Sequence, residues 1–340
     1  MPQTIQQLLL LARPKINNLD AELIIAHVLK KPREFVLANP EKIVSKYISV
    51  KVNKLFKQRK QNIPLAYLTE HKEFYGLDFK VNKNVLIPRP DTELVVSLVL
   101  ARLKTYNLNL KTVLVDVGTG SGCIPISIIK TLNPTLPSPT RGGETNNSSP
   151  YKGEVGGGFA VYAIDISAKA LTVAKANAKK HHVKASLHSA HVAGKIKFLH
   201  GDLLSPLLPL PNLPLIKGKE TRRSFFPPLY KGRIKEGYTL IITANLPYLT
   251  PQQLKSEPSI KHEPRLALVA GKDGLKYYRQ LLKQIAKITK CHLISVICYL
   301  EIDPSQTSSI KLLIKKHLPH AKITIHQDLS GKDRVVEINL

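Results

Sequence analysis

Lys111-Thr112-Val113-Leu114-Val115-Asp116-Val117-Gly118-Thr119-Gly120-Ser121-Gly122-Cys123-Ile124 sets the frame for the whole chain. Its first half is a β-branched apolar run of the kind found in a strand covered on both faces. Its second half turns on alternate glycines, which permit a tight reversal and bring backbone N–H groups and a helix N-terminus close to a ligand. No Gly-x-x-x-x-Gly-Lys is present, so a phosphate-cradling P-loop is excluded. Glycine-rich strand-to-helix turns occur in many dinucleotide folds, but the spacing Asp-x-Gly-x-Gly-x-Gly suits S-adenosylmethionine better than a pyrophosphate.

Working downstream, the strand Ala160-Val161-Tyr162-Ala163-Ile164 ends in Asp165, placed to accept hydrogen bonds from ribose hydroxyls and able at the same time to cap a helix over Ser167–Ala178. A third strand, Ile196-Lys197-Phe198-Leu199-His200, ends at Gly201-Asp202-Leu203, beside the expected adenine. A fourth, Tyr238-Thr239-Leu240-Ile241-Ile242, delivers Thr243-Ala244-Asn245-Leu246-Pro247-Tyr248. Strand, glycine loop, helix, strand, acid, helix and strand make a βαβ series, so the fold is α/β with ligand groups at strand carboxyl ends.

Asn245 to Tyr248 carries the candidate chemistry. A planar NH2 is a poor nucleophile because its lone pair is delocalised; an Asn side-chain oxygen and a main-chain carbonyl can accept its two N–H groups and orient it. Tyr248 is expected to stack on the flat group. The plainer alternative is a strand ending in a Pro turn with a core Tyr.

Upstream, residues 1–70 have a helical pattern, with Asp20 as the expected N-cap of a helix over Leu19–Leu29 and further amphipathic segments over Ile43–Ile48 and Val50–Phe56. Residues 71–90 alternate and turn at Gly76, a hairpin linking two domains, and 91–340 form the second domain. Pro88-Arg89-Pro90-Asp91-Thr92-Glu93 opens a helix and is placed to roof a ligand. Two segments, 134–158 and 205–237, are rich in Pro, Gly and polar residues and share a local similarity. They are expected to be mobile insertions that protrude opposite the ligand and do no chemistry; proteolysis that spared both would argue otherwise. The last strands, through Val336-Glu337-Ile338, are expected to be antiparallel.

Composition narrows the setting. The 340 residues carry 51 Lys and Arg against 24 Asp and Glu, a net charge of +27, so a polyanionic partner would be attracted. The lysines are spread along the chain, however, and direct nucleic-acid binding is compatible with them but not required. Cys123, Cys291 and Cys298 form no Cys-x-x-Cys pair, which fits a reducing, cytosolic compartment. Leu8–Ala12 is too short for a membrane span, and neither a signal peptide nor a membrane partner is expected. His181, His182, His188, His191 and His200 lack repeated ligand spacing and are expected to be solvated, with no metal site.

Taken together these residues resemble the HemK/PrmC family of protein-(glutamine-N5) methyltransferases that modify peptide chain release factors. The resemblance runs through Leu19-Asp20-Ala21-Glu22, Glu73-Phe74-Tyr75-Gly76-Leu77, Leu86-Ile87-Pro88-Arg89-Pro90-Asp91-Thr92-Glu93, the glycine loop, Asp165-Ile166-Ser167, His262-Glu263-Pro264, Gly271-Lys272-Asp273-Gly274-Leu275, and Asp328-Leu329-Ser330-Gly331-Lys332-Asp333-Arg334-Val335-Val336. It implies a class I S-adenosylmethionine-dependent methyltransferase, with a Rossmann-like seven-stranded sheet and an N-terminal helical bundle that engages a class 1 release factor. Gly118, Thr119, Gly120, Ser121, Gly122 and Asp165 would hold the cofactor, Leu203 would sit against its adenine, and Asn245 would lie between cofactor and substrate. Asn245, Leu246, Pro247 and Tyr248 would receive the glutamine of a Gly-Gly-Gln loop and act in transfer.

One departure matters. The family pattern is Asn-Pro-Pro-Tyr, and Leu246 replaces the first proline, which removes a φ restraint and predicts a less preorganised loop with reduced activity. Asn-Leu-Pro-Tyr is also similar to the motif of ribosomal RNA adenine dimethyltransferases, so transfer to the N6 amine of an adenine, and a binding-only relative of the release-factor enzymes, stay open at this point.

Overall fold

The structure is a computed structural model that describes residues 2–105, 111–133, 159–185, 195–208, 238–289 and 294–340. The expected insertion 134–158 lies outside the described residues, as does 209–237 of the second. Residues 205–208 belong instead to the body of the protein: Ser205–Leu207 is a 3-10 turn and Leu207 is buried in the core.

Five helices open the chain: α1 (Ile5–Ala12), α2 (Asn18–Leu29), α3 (Arg33–Ala38), α4 (Lys46–Lys60) and α5 (Leu65–Thr69). Two-residue strands β1 (Gln3–Thr4) and β2 (Ile43–Val44) pair antiparallel, so of the expected helical segment Ile43–Ile48 only Lys46–Ile48 is helical, as the start of α4. Thr4 starts α1 with a reciprocal capping box to Gln7. The N-cap of α2 is Asn17, whose side chain accepts from the Leu19 N–H at 2.8 Å, and not Asp20. Asp20 sits in the first turn, where it accepts from Arg59 of α4 at 2.7 Å, while Glu22 accepts from Arg33 at 2.7 Å. The two acids thus tie α2 to its neighbours around a core of Ile5, Leu8, Ile24, Ile25, Val36, Val52 and Phe56.

The hairpin β3 (His71–Phe74) and β4 (Leu77–Lys80) follows as expected. Next come α6 (Glu93–Thr105), β5 (Lys111–Val117), α7 (Cys123–Leu132), β6 (Phe159–Asp165), α8 (Ala168–Lys180), β7 (Lys184–Ala185), β8 (Lys195–His200) and β9 (Tyr238–Ala244). The chain ends with α9 (Pro251–Ser256), α10 (Lys276–Ile288), β10 (Ile294–Glu301), α11 (Thr307–His317), β11 (Lys322–Gln327) and β12 (Asp333–Asn339).

Among the described residues one sheet holds eight strands in the order β11-β12-β10-β9-β5-β6-β8-β7. The seven expected strands are there, and the two-residue β7 adds an edge. Of the last strands β12 alone runs against the parallel set, inserted antiparallel between β10 and β11. Side chains on the parallel strands alternate between two cores, as a period of two requires. Val113, Val115 and Val117 of β5 face the layer of α10 and α11, and Leu114 faces that of α6 and α7. From β5 the chain winds outward through β6 to β8, then returns to β9 on the other side of β5. That reversal leaves a crevice at the carboxyl ends of β5 and β9.

Candidate active site

Register places the site. Val117 pairs with Ala244 on one side and with Ile164 on the other, so the chain leaves the sheet at Gly118, Asn245 and Asp165 side by side. The cleft there encloses about 1050 Å³, its solvent-open mouth included, and is lined by Gly118, Thr119, Gly120, Ser121, Asp165, Leu203, Asn245, Leu246 and Pro247. Nine of the residues singled out by sequence therefore share one cavity. Two do not line it. Gly122, at φ +80°, is the N-cap of α7, and Tyr248 packs against the core beside α10. Tyr277, which the sequence reading did not single out, is an aromatic ring that does line the cleft.

The glycine loop is held from the next strand. Gly118 and Thr119 donate to the Ile164 carbonyl, each at 2.9 Å, and Gly120 donates to Asp165 Oδ2 at 2.9 Å. Asp165 Oδ1 accepts from the Ser167 N–H at 2.8 Å, so the carboxylate braces both the loop and the start of α8. Burial raises its pKa and these N–H donors oppose the rise. Below the loop, Asp116 is buried and accepts from Thr243 Oγ1 at 2.7 Å; desolvation pushes its carboxyl up to about 6.

Asn245 is anchored from the loop that precedes α6. Its Nδ2 donates to Thr92 Oγ1 at 3.0 Å, and among the described residues no hydrogen bond engages its Oδ1. That loop is latched in turn: the Ile87 N–H donates to Glu263 Oε2 at 3.0 Å, and Arg89 pairs with Glu263 Oε1. Pro88, Arg89, Pro264 and Leu266 all line the cleft. Leu246 is buried, and its carbonyl faces the Tyr278 hydroxyl at 3.4 Å. The Tyr248 carbonyl accepts from Gln306 Nε2 at 3.0 Å.

The residues fit S-adenosylmethionine. Gly118 and Gly120 take φ of +74° and +55°, and a Cβ on Gly120 would project into open space with nothing closer than the Gly118 carbonyl at 3.9 Å. The backbone there can approach a ligand as no larger residue could. The positive end of α7 and the lone pairs left on Asp165 offer partners to a carboxylate and to hydroxyls, and Leu203, buried at φ +50°, offers an apolar wall.

Comparison with known proteins supplies the family. Residues 4–69 match the family model described as the PrmC N-terminal domain. The release factor glutamine methyltransferase of Moorella thermoacetica is 31% identical over 321 residues, covering 93% of this chain and 89% of that one. The protein of the same name from Clostridium botulinum is 30% identical over 322 residues, covering 94% and 91%. The chain belongs to the release factor glutamine methyltransferase family. With the family comes its methyl donor, S-adenosylmethionine, and a fold in which an N-terminal helical region precedes a class I methyltransferase sheet. Among solved structures, the N-terminal domain of human METTL16 in complex with SAH is 14% identical with a TM-score of 0.41, covering 92% of this chain and 93% of that one. A likeness that loose says nothing about this chain's ligands. No described helix is long and apolar enough to cross a membrane.

Several residues escaped the sequence reading. Asn177, fully buried on α8, accepts from the Lys80 N–H at 2.7 Å and donates to the Lys80 carbonyl at 3.0 Å and the Ser121 carbonyl at 2.8 Å, clamping the hairpin to the glycine loop. His181, expected to be solvated, is buried: its ring lies 5.0 Å from that of Phe79, and Nε2 is 3.0 Å from the Asp78 carbonyl. His188 and His191 lie outside the described residues. Glu301 closes an apolar strand, and a carboxylate in such a run was the one signal it offered.

Proposed function

We propose that the chain methylates the side-chain amide nitrogen, N5, of the glutamine in the Gly-Gly-Gln motif of class 1 peptide chain release factors. The observation that carries this reading is the anchored amide of Asn245, whose Nδ2 is committed to Thr92 beside the glycine loop. S-adenosylmethionine, when bound, supplies an electrophilic methyl group on a sulfonium. Residues Gly118 to Gly122, Asp165 and Leu203 would hold it from the sheet side.

Asn245 Oδ1 and the Leu246 carbonyl then accept the two N–H groups of the incoming amide, turning its plane and raising the electron density on nitrogen. Pro247 stiffens the loop that presents them, and Tyr248 packs against the core behind them. The apolar walls at Leu86, Pro88, Leu246 and Pro264 would limit water around the bound amide once substrate fills the mouth of the cleft. No base is required before transfer, because the amide proton leaves after nitrogen has gained its methyl group. The helical N-terminal unit, residues 1–70, would engage the release factor, joined by the 71–90 hairpin to the catalytic part, 91–340. His262 Nε2 at 3.0 Å from the Gln61 carbonyl, and the Tyr67 hydroxyl donating to the Val85 carbonyl at 2.6 Å, support a coupling of that unit to the site loops. A cytosolic setting belongs to the same proposal.

The test is transfer of labelled methyl from S-adenosylmethionine, offered separately to a release factor and to undermodified ribosomal RNA. Label on the Gly-Gly-Gln glutamine is expected, lost in Asn245→Ala by about 100-fold or more with cofactor affinity retained. Label on RNA adenine, or full turnover by Asn245→Ala, would overturn the reading.

A further inference from the structure

Asn245 can present either end of its amide to the cleft, since the side chain is nearly symmetric in shape. Only the oxygen serves an incoming N–H. Something must therefore hold the nitrogen end away, and Thr92 does so only while its own hydroxyl proton points elsewhere. A hydroxyl has one proton. If that proton turned toward Asn245, the amide would reverse.

The buried carboxyl at this level of the sheet is Glu301. It is the last residue of β10, and because Leu300 pairs with Ala244 it leaves the sheet level with Asn245 on the neighbouring strand. The residue is 1% exposed, and among the described residues its buried Oε2 has no hydrogen-bond partner. The Thr92 hydroxyl interacts with this carboxyl and favours its charged form. The backbone on both sides is fixed by one ring: the Tyr278 hydroxyl donates to the Glu301 carbonyl and faces that of Leu246.

We propose that Glu301 is a positioning residue that draws the Thr92 hydroxyl proton to itself and thereby fixes Asn245 with its oxygen toward the substrate amide. The chain of donors runs Asn245 Nδ2 to Thr92 Oγ1, then Thr92 to Glu301, and its direction is set by the acceptor at the end. A charged Glu301 can only accept. A protonated Glu301 offers its own proton to Thr92, which frees the Thr92 proton to point at Asn245 and reverses the amide. Burial pushes the Glu301 carboxyl up to about 7, so the reversal falls near neutral pH. The charged and titratable groups facing it are Arg89 and Asp91 from the loop before α6, Cys123 from α7, Arg334 from β12, Tyr248 from the loop after β9, and Tyr278 from α10. The two arginines favour the charged form and Asp91 opposes it.

This inference rests on the reading of Asn245 as the group that receives the amide, and the experiment separates the two. Methyl transfer to a release factor is measured across pH 5.5–9 for the wild-type chain, Thr92→Val, Thr92→Ser, Glu301→Gln and Asn245→Ala, with S-adenosylmethionine affinity as the check on folding. Thr92→Val is expected to lower kcat by about 10- to 100-fold, as other groups that orient a reacting residue do, with cofactor affinity within about twofold. Thr92→Ser should restore most of it. The wild type should show an acid limb near neutrality that Glu301→Gln lacks, its kcat being low and flat. Full kcat in Thr92→Val, or an acid limb unchanged in Glu301→Gln, would overturn the role of Glu301 while Asn245→Ala remained dead. A fully active Asn245→Ala would instead remove the reading beneath it.

Discussion

Leu246 is where this chain departs from its family's Asn-Pro-Pro-Tyr, and the surroundings give the substitution a second meaning. The side chain is buried and packs over the glycine loop: a Cβ built on Gly118 would lie 3.1 Å from Leu246 Cδ2. Leucine here trades backbone restraint for core volume. Leu246→Pro should therefore raise kcat by preorganising the carbonyl that meets the substrate, and lower stability by about 1–2 kcal/mol through the smaller side chain. Thermal unfolding and methyl-transfer kinetics on one preparation would decide it; a variant both more stable and no faster would contradict both parts. Asn245, the glycines and Asp165 could be named from sequence because strand ends and φ above zero restrict which residues serve there. The orientation of the Asn245 amide could not, since it depends on Thr92 and Glu301, 153 and 56 positions away along the chain.

The loop before α6 and the segment before the 3-10 turn Arg265–Ala267 work as one element although 174 residues separate Arg89 from Glu263. Glu263 has a side chain 1% exposed and serves both the Ile87 N–H and the Arg89 guanidinium. Removing it leaves a backbone donor and a cation without their partner, so Glu263→Ala should destabilise by about 2–3 kcal/mol and loosen the roof of the cleft. Hydrogen exchange over residues 84–92 should speed up and S-adenosylmethionine binding weaken, whereas Glu263→Gln should recover part of both; unchanged exchange would sink the latch. Both motifs were visible in the sequence by resemblance. Their meeting was not, because a buried ion pair leaves no periodicity. The same holds for Asn177, whose three bonds clamp the hairpin, and for His181, whose burial follows from β4 packing Phe79 against α8. By contrast β5, β6 and β9 were legible almost to their ends, since strands covered on both faces must be apolar throughout.

At the scale of the molecule, two buried carboxyls shape the response to pH. Asp116 and Glu301 have folded pKa values of about 6 and about 7, above their ordinary 3.8 and 4.5. Between those limits the folded chain binds more protons than the unfolded one, so stability falls as pH rises through that window. At 1.36 kcal/mol per unit each group accounts for roughly 3 kcal/mol. Asp78, drawn down to about 2 by hydrogen bonds from His71 and Lys180 against the opposing effect of burial, acts in the other direction, its contribution being lost only in acid. The melting temperature should therefore fall from pH 5.5 to pH 8, and Glu301→Gln should flatten that fall and be the more stable protein at pH 8. Parallel curves for the two would show that the burial of Glu301 is relieved by other means. The expected result sets stability against transfer at a single position.

Gly274 meets the catalytic loop from behind: at φ +69°, any Cβ there would lie 2.2 Å from the Tyr248 carbonyl oxygen and 2.3 Å from Gln306 Nε2. Gly76 and Gly331 have similar φ, but among the described residues nothing lies within 4 Å of a Cβ there. Under mutational drift the three positions should age differently. Gly76 and Gly331 can be exchanged for Asn or Asp, which tolerate the left-handed conformation. Position 274 has no neighbour in sequence space, because even alanine must displace the strand-end loop on which Asn245 stands, and a lineage that lost this glycine would have to rebuild the loop to replace it.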